Sequence, residues 1–168
     1  MREHPYTLQF AMNVTGLTSQ AMRHWRSVLP PLKGRSAHQP CFSAGDLLTL
    51  KVLQAWVHGT GGRIGQLEAT VARLFSLCAE ESWSRIEQSM IAYDLESQAW
   101  ELVPANASIR WASGAVLLPI GRLAHELSDQ LIGNRATGGQ RPLEFPLMGV
   151  PGEAAQARPP LAAQGRAP

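Results

Sequence analysis

The chain has 168 residues, of which 45% are hydrophobic and 17% are charged. This length suits one domain or two small ones, and the apolar content excludes wholesale disorder. The longest apolar stretch, Ala115 to Ile120, is far shorter than the roughly 20 residues that cross a bilayer. The mixed charge of the first residues excludes a secretory signal, and the two cysteines, Cys41 and Cys78, cannot form a disulfide framework or a zinc site. We therefore expect a cytoplasmic protein without a membrane segment.

Charge is distributed unevenly along the chain. Residues 1–63 carry a net charge of +5, residues 64–132 carry −5, and residues 133–168 carry +2. A basic segment joined to an acidic one is typical of a protein that binds an anionic polymer with one part only. The same +5 also fits a domain whose charge serves solubility alone, so charge by itself leaves both readings open.

The first thirty residues contain the start and stop signals of two short helices. An apolar helical face begins at Leu8, and Gly16 ends that helix because glycine tolerates the positive φ of a sharp turn. Thr18 is placed to cap a second helix, on which Met22 and Trp25 face inward. The polar side chains predicted to face solvent on this helix are Gln20, Arg23, His24 and Arg26. Two short helices joined by a glycine turn indicate a helix-turn-helix.

Two further helices complete the N-terminal part. Leu29-Pro30-Pro31 ends the second helix, and a short hairpin or loop with Lys33 and Arg35 at its tip is expected next. Ser43 and Asp46 have the spacing of a capping box, which starts a third helix. The apolar stripe of a fourth helix consists of Leu67, Val71, Leu74, Phe75 and Cys78. Residues 1–80 are therefore predicted to form a mainly α domain.

Five short motifs follow one another in this domain. They are Tyr6-Thr7-Leu8, Val14-Thr15-Gly16-Leu17-Thr18, Met22-Arg23-His24-Trp25, Leu29-Pro30-Pro31 and Phe42-Ser43-Ala44-Gly45-Asp46-Leu47-Leu48. In this order they resemble the winged helix-turn-helix of MerR-type transcriptional regulators, over roughly Tyr6 to Leu77. The resemblance implies sequence-specific binding to double-stranded DNA, a homodimer, contact with RNA polymerase and a nucleoid-associated location.

The resemblance also assigns DNA contacts to particular residues. Those on the recognition helix are Thr18, Ser19, Gln20, Arg23, His24 and Arg26, and those on the wing are Lys33 and Arg35. Arg23 could read a guanine edge or bind a phosphate, and the sequence leaves both open. Trp25 is expected in the core rather than at the DNA.

The long heptad helix on which MerR-type regulators pair has no counterpart after Cys78, so dimerisation falls to the next segment. Residues 81–132 are predicted to form a small α+β module that pairs subunits or binds a ligand. Its predicted elements are strands at Met90–Asp94, Ala99–Val103, Ser108–Trp111 and Ala115–Pro119 and a helix at Ile120–Ile132. Residues 133–168, rich in Pro, Gly and Ala, are predicted to be a disordered tail.

Catalytic readings find little support in the sequence. His38, Cys41 and His58 have no acid nearby in sequence to orient a histidine, and no cofactor motif is present. The predicted fold is therefore α+β, with a winged helix-turn-helix, a strand-containing module and a tail, and we expect no enzyme. Two alternatives to a MerR-type regulator stay open. One is a DNA-bending accessory protein of the excisionase kind, and the other is a protein-interaction module on a winged-helix fold.

Overall fold

The computed structural model describes residues 5–36, 39–108, 111 and 114–137. They form six α-helices and a three-stranded sheet, joined by turns and loops. The chain is α+β, as the sequence predicts. In chain order the elements are α1 (Leu8–Thr15), α2 (Ser19–Val28), α3 (Ala44–Thr60), α4 (Val71–Glu80), α5 (Trp83–Glu87), β1 (Ser89–Asp94), β2 (Trp100–Pro104), β3 (Ala115–Leu118) and α6 (Ile120–Thr137). Two 3₁₀ turns, Pro30–Leu32 and Ile64–Leu67, lie before α3 and α4.

Side-chain caps fix where the first three helices begin. The hydroxyls of Thr7 and Thr18 each accept a hydrogen bond from the backbone N–H three residues later. Ser43 and Asp46 form a reciprocal capping box at the start of α3. Each cap satisfies N–H groups that a helix start leaves without an intrahelical partner. The predicted caps at Thr18 and at Ser43 are thus confirmed.

The central helix is α3, which is buried on nearly every side. The side chains of Leu47, Leu48, Leu50, Val52 and Leu53 are all inaccessible to solvent. Around α3 lie α1, α4, α6 and β3, all of which contact it. A helix that is apolar all round is stable in water only when it is covered in this way. Residues before and after position 80 therefore share one hydrophobic core.

The sheet has the strand order β2-β1-β3, and both pairs of strands are antiparallel. Ile91 and Tyr93 of β1, Trp100 of β2 and Leu118 of β3 lie on its buried face. The Tyr93 ring lies 4.7 Å from the ring of Trp100 and 6.2 Å from the ring of Trp56 in α3. These aromatic contacts join the sheet to the core around α3.

Three of the four predicted strands are present as β1, β2 and β3. Of the remaining predicted strand, Ile109 and Arg110 lie outside the described residues, and neither Ser108 nor Trp111 is part of a strand. The short helix α5 was not predicted, because five residues are too few to show a helical period. The predicted fourth helix consists of the 3₁₀ turn Ile64–Leu67 followed by α4.

The last helix is longer than the sequence predicts. Since α6 continues to Thr137, the boundary of the tail at Gly133 is wrong by five residues. A glycine such as Gly133 lowers the stability of a helix by only about 1 kcal/mol, so one glycine does not have to end a helix whose preceding turns are stable. Residues 138–168, the rest of the predicted tail, lie outside the described residues. In the part of the chain that the structure describes, no helix is both long and apolar enough to span a membrane.

Two glycines of α3 allow a matched test of this packing. A Cβ on Gly45 would lie 2.5 Å from the carbonyl oxygen of Cys78 in α4, whereas a Cβ on Gly59 would meet open space. We expect Gly45→Ala to lower the free energy of unfolding by about 1–3 kcal/mol, because backbone must move to admit the methyl group. Gly59→Ala should be neutral or raise it by up to about 1 kcal/mol. Urea denaturation measures both, and equal effects would contradict the close approach of α3 and α4.

Candidate nucleic-acid interface

A tight turn joins α1 to α2. Gly16 has a φ of 72°, and its N–H donates to the carbonyl oxygen of Met12 over 2.8 Å. A side chain would strain this left-handed conformation, which explains why glycine occupies the position. Leu17 is buried directly after it, and Thr18 caps α2. The predicted helix-turn-helix connection is therefore present in the structure.

The second helix has one buried face and one exposed face. Met22 and Trp25 lie in the core, with 1% and 5% of their surface exposed, as predicted. The opposite surface, which we call the α2 face, consists of Ser19, Gln20, Arg23 and His24, all of them exposed. Thr18 is exposed at the edge of this face, and its Oγ1 accepts a hydrogen bond from the N–H of Ala21 over 3.1 Å. Five of the eight predicted contact residues are thus neighbours on one surface.

Two polar residues of α1 extend this surface. The Nε2 atom of Gln9 donates to Oδ1 of Asn13 over 3.0 Å, and both side chains are exposed. They line an open cleft of about 380 Å³ between α1 and the start of α2, together with Met12, Gly16, Leu17, Thr18 and Ser19. Neither Gln9 nor Asn13 is among the contact residues predicted from the sequence. Their spacing of four residues on the polar side of α1 is the signal that could have identified them.

Arg26 lies on the side of α2 that contacts the following loop. Its side chain is half-buried, and its Nη2 donates a hydrogen bond to the carbonyl oxygen of Arg35. Its Nε atom is buried without a hydrogen-bond partner among the described residues. The prediction that Arg26 faces solvent is wrong, because this side chain ties α2 to the loop.

Arg35 lies at the centre of a hydrogen-bond network rather than at the tip of a wing. Its Nε donates to the carbonyl oxygen of Pro31 over 2.9 Å, and its Nη1 donates to that of Cys41 over 2.8 Å. Its Nη2 binds Oδ1 of Asp46 over 2.9 Å, and only 18% of its side chain is exposed. The guanidinium also lies 4.9 Å and 5.6 Å from the ring centroids of Phe42 and Phe75. The expected phosphate contact of Arg35 is therefore replaced by a structural role.

The Asp46 carboxylate serves the loop and α3 at once. Its Oδ2 accepts hydrogen bonds from the backbone N–H of Ser43 over 2.7 Å and from its hydroxyl over 2.9 Å. Burial raises the pKa of the carboxyl, but the hydrogen bonds from Arg35 and Ser43 and the charge of Arg35 together outweigh burial and leave the pKa below its ordinary value. Asp46 is thus ionised in the fold and holds Arg35 in place.

Lys33 is the predicted wing residue that remains at the surface. It follows the 3₁₀ turn Pro30–Leu32 and precedes Gly34, whose φ of 78° lets the chain turn sharply. Its Nζ lies 3.8 Å from Oε1 of Glu68, and half of each side chain is exposed. Because an exposed ion pair of this kind contributes only about 0–1 kcal/mol, Lys33 can exchange Glu68 for another anion at little cost.

Two cations of the basic segment, Arg35 and Lys51, have acidic partners within the fold. Arg35 pairs with Asp46, and Lys51 lies 3.9 Å from Glu126 of α6 with 11% of its side chain exposed. Within the described ranges, Arg23 forms no ion pair, and neither does Arg63. Arg63 is exposed and directly precedes the 3₁₀ turn Ile64–Leu67, which contacts α2. Arg63 contributes to the charge of the basic segment, residues 1–63, but is not among the contact residues predicted from the sequence.

The cysteine and histidine residues form no cluster in the described structure. Burial raises the pKa of the Cys41 thiol, although the charges of Arg35 and Arg26 lower it, and burial raises the pKa of Cys78 to about 12. Both thiols are therefore protonated near neutral pH and weakly reactive. Among the described residues, no group of three His, Cys, Asp or Glu side chains could hold a metal ion. His38 lies outside the described residues.

The chain matches no model of a known protein family, and no curated protein is significantly similar to it in sequence.

The network around Arg35 makes stability depend on pH. Because the pKa of Asp46 is lower in the native state than its ordinary value of 3.8, this carboxylate stabilises the fold above about pH 4, and that contribution is lost as the pH falls through the lowered native pKa. We expect Asp46→Asn to reduce the free energy of unfolding by about 3 kcal/mol at neutral pH, since Arg35 loses its charged partner. The variant should lose less stability than the wild type below pH 4.

Denaturant titrations between pH 2.5 and pH 7 measure both effects. The control is Asp129→Asn, because Asp129 is largely exposed on α6 and pairs only loosely with His125 at 3.9 Å. If the curves of wild type and Asp46→Asn run parallel at all pH values, Asp46 does not contribute in the way described.

Proposed function

We propose that the protein is a DNA-binding transcriptional regulator of MerR type that presents α2 to the major groove of double-stranded DNA. The observation that carries the proposal is the α2 face, on which Ser19, Gln20, Arg23 and His24 are exposed together while Met22 and Trp25 hold the helix to the core. The major groove is wide enough to admit an α-helix, and side chains near the start of a recognition helix reach base edges there.

The chemistry of the α2 face suits base recognition. Ser19 and Gln20 supply a hydroxyl and an amide, which donate and accept hydrogen bonds at base edges. Arg23 supplies a guanidinium that no acidic side chain neutralises within the described ranges. In the proposal, Arg23 binds a guanine edge through two hydrogen bonds rather than a phosphate. His24 adds a further polar contact one residue along.

The residues around the α2 face suit contacts to the DNA backbone. Gln9 and Asn13 lie beside the cleft at the start of α2, where the first helix of such motifs crosses the phosphates. Lys33 and Arg63 are exposed cations on the segments that precede and follow α3. They replace Arg26 and Arg35 in the proposed interface, because those two side chains bind within the fold.

The remaining partners belong to the same proposal. A two-fold DNA site calls for a two-fold protein, so we include a homodimer. Contact with RNA polymerase and association with the nucleoid follow from the proposed role in regulation. The experiment that tests the proposal is selection of bound fragments from genomic DNA, since it reports binding, site symmetry and spacing together.

The result of this selection distinguishes a regulator from a DNA-bending accessory protein and from a protein-interaction module. Recovery of palindromic fragments supports a regulator. Recovery of closely spaced repeats bound by several copies would instead favour a DNA-bending accessory protein. If no fragment is enriched over bulk DNA, the proposal fails and a protein-interaction role becomes the better explanation of the α2 face.

Arg23→Ala tests base recognition. Loss of a bidentate contact to guanine should weaken binding to a selected site by about 1–3 kcal/mol and leave binding to scrambled DNA nearly unchanged. The control is Arg122→Ala, which removes the same charge from a side chain that is 72% exposed on α6. Fluorescence anisotropy with both DNAs measures the two affinities. Equal loss on both DNAs would assign Arg23 to a phosphate, and unchanged binding would remove α2 from the interface.

The salt dependence of DNA affinity tests the proposed phosphate contacts of Lys33 and Arg63. Each phosphate contact contributes about −0.9 to the slope of log affinity against log salt concentration, so Lys33 and Arg63 together predict a slope of roughly −2 per chain. Lys33→Ala and Arg63→Ala should each reduce this slope by about one on selected and scrambled DNA alike. A slope that neither variant changes would contradict the assignment of phosphate contacts to these two residues.

Arg35→Lys should lower the melting temperature, because lysine cannot make the three hydrogen bonds of Arg35.

A further inference from the structure

The sheet has two outer edges, because β1 is the middle strand. In an antiparallel pair, alternate residues turn their N–H and C=O groups toward the neighbouring strand, and the residues between them turn theirs away. The backbone hydrogen bonds from Asp94 to Ala99 over 3.0 Å and from Leu95 to Gly114 over 3.2 Å fix this alternation on both sides of β1. The residues whose backbone groups face outward can therefore be identified on each edge.

The edge of β2 is protected against pairing. Its outward-facing backbone groups belong to Trp100, Leu102 and Pro104. Pro104 has no N–H to donate, and Glu101 between them is exposed and charged. Proline and charged side chains are the features by which natural proteins prevent their edge strands from pairing with other chains.

The edge of β3 is short, but neither of the positions that could pair carries a charge or a proline. Its outward-facing backbone groups belong to Ala115 and Leu117, neither of which is charged or proline. Among the described residues, no strand pairs with this edge. The side chain of Leu117 is also half exposed, and among those residues only two other large apolar side chains are exposed to at least this degree. Pro119 follows the strand and limits the edge that is available to these two positions.

We propose that β3 pairs with β3 of a second copy of the chain, antiparallel and about a two-fold axis at Val116. In this register Ala115 lies opposite Leu117 of the second copy, and Leu117 lies opposite Ala115 of that copy. Each of these two pairs exchanges both of its N–H···O=C hydrogen bonds, because all four residues turn their backbone groups outward. The edge is therefore complementary to itself, and the two sheets become one continuous sheet.

The side chains agree with this register. Each half-exposed Leu117 lies beside a small Ala115 of the other copy on the same face of the sheet, so the larger side chain has room and loses contact with water. Neither position carries a charge, so no like charges are brought opposite each other. A second copy fits this edge better than an unrelated strand, because its donors, acceptors and side-chain sizes all match under the two-fold axis.

The inference rests on the proposed function only in that both include a homodimer. The pairing through β3 is tested in the absence of DNA. Sedimentation velocity of the full chain over a range of concentrations is expected to show a monomer–dimer equilibrium. Leu117→Lys places like charges on the shared edge and should raise the dimer dissociation constant at least about tenfold, the equivalent of 1.4 kcal/mol. Ala115→Lys should act in the same direction as an independent variant.

The matched control is Leu95→Lys, because Leu95 is 52% exposed and Leu117 is 50% exposed, but Leu95 lies outside β3. Circular dichroism and thermal unfolding establish that each variant folds. A monomeric wild type would overturn the proposal, as would folded Leu117→Lys and Ala115→Lys variants that dimerise like the wild type. If the dimer forms through β3 but no DNA fragment is enriched, the proposed function fails while this inference stands.

Discussion

One largely buried arginine, Arg35, ties α2, the loop that follows it and α3 together. Arg35 hydrogen-bonds two backbone carbonyls, those of Pro31 and Cys41, and pairs with Asp46. Its own carbonyl oxygen accepts the hydrogen bond of Arg26 from α2. A buried cation is tolerated only when its donors are satisfied and its charge is balanced. The path of the loop between α2 and α3 therefore depends on Arg35 having all of these partners.

This arrangement changes which charges are available at the surface. The net charge of +5 on residues 1–63 suggests a broadly basic face. In the fold, Arg35 and Lys51 have acidic partners within the structure, and Arg26 is directed to the loop. The α2 face then carries one cation, Arg23, among hydroxyl and amide groups. Such a surface favours hydrogen bonds to base edges over attraction to many phosphates, which is why we propose recognition rather than general electrostatic binding.

Buried residues after position 80 belong to the same hydrophobic core as the helices before it. Gly121 of α6 lies so close to the carbonyl oxygen of Glu87 that a Cβ would overlap it, and α6 also contacts α3. The sheet joins the core through Tyr93 and Trp100. Because the sheet packs directly on the helices, pairing of two sheets through β3 would also fix the position of the helices in one copy relative to those in the other.

Local signals in the sequence were sufficient for much of the fold. The caps at Thr18 and Ser43, the glycine turn at Gly16 and the inward positions of Met22 and Trp25 are set by backbone sterics and by helical periodicity within a few residues. The exposed positions on α2 follow from the same periodicity. Only the tertiary structure decided the roles of Arg26 and Arg35, because their partners come from a loop and from α3. The sequence does not show whether an arginine faces solvent or pairs with a buried carboxylate. The distance between the two charges is set by the packing of segments that are distant in the chain.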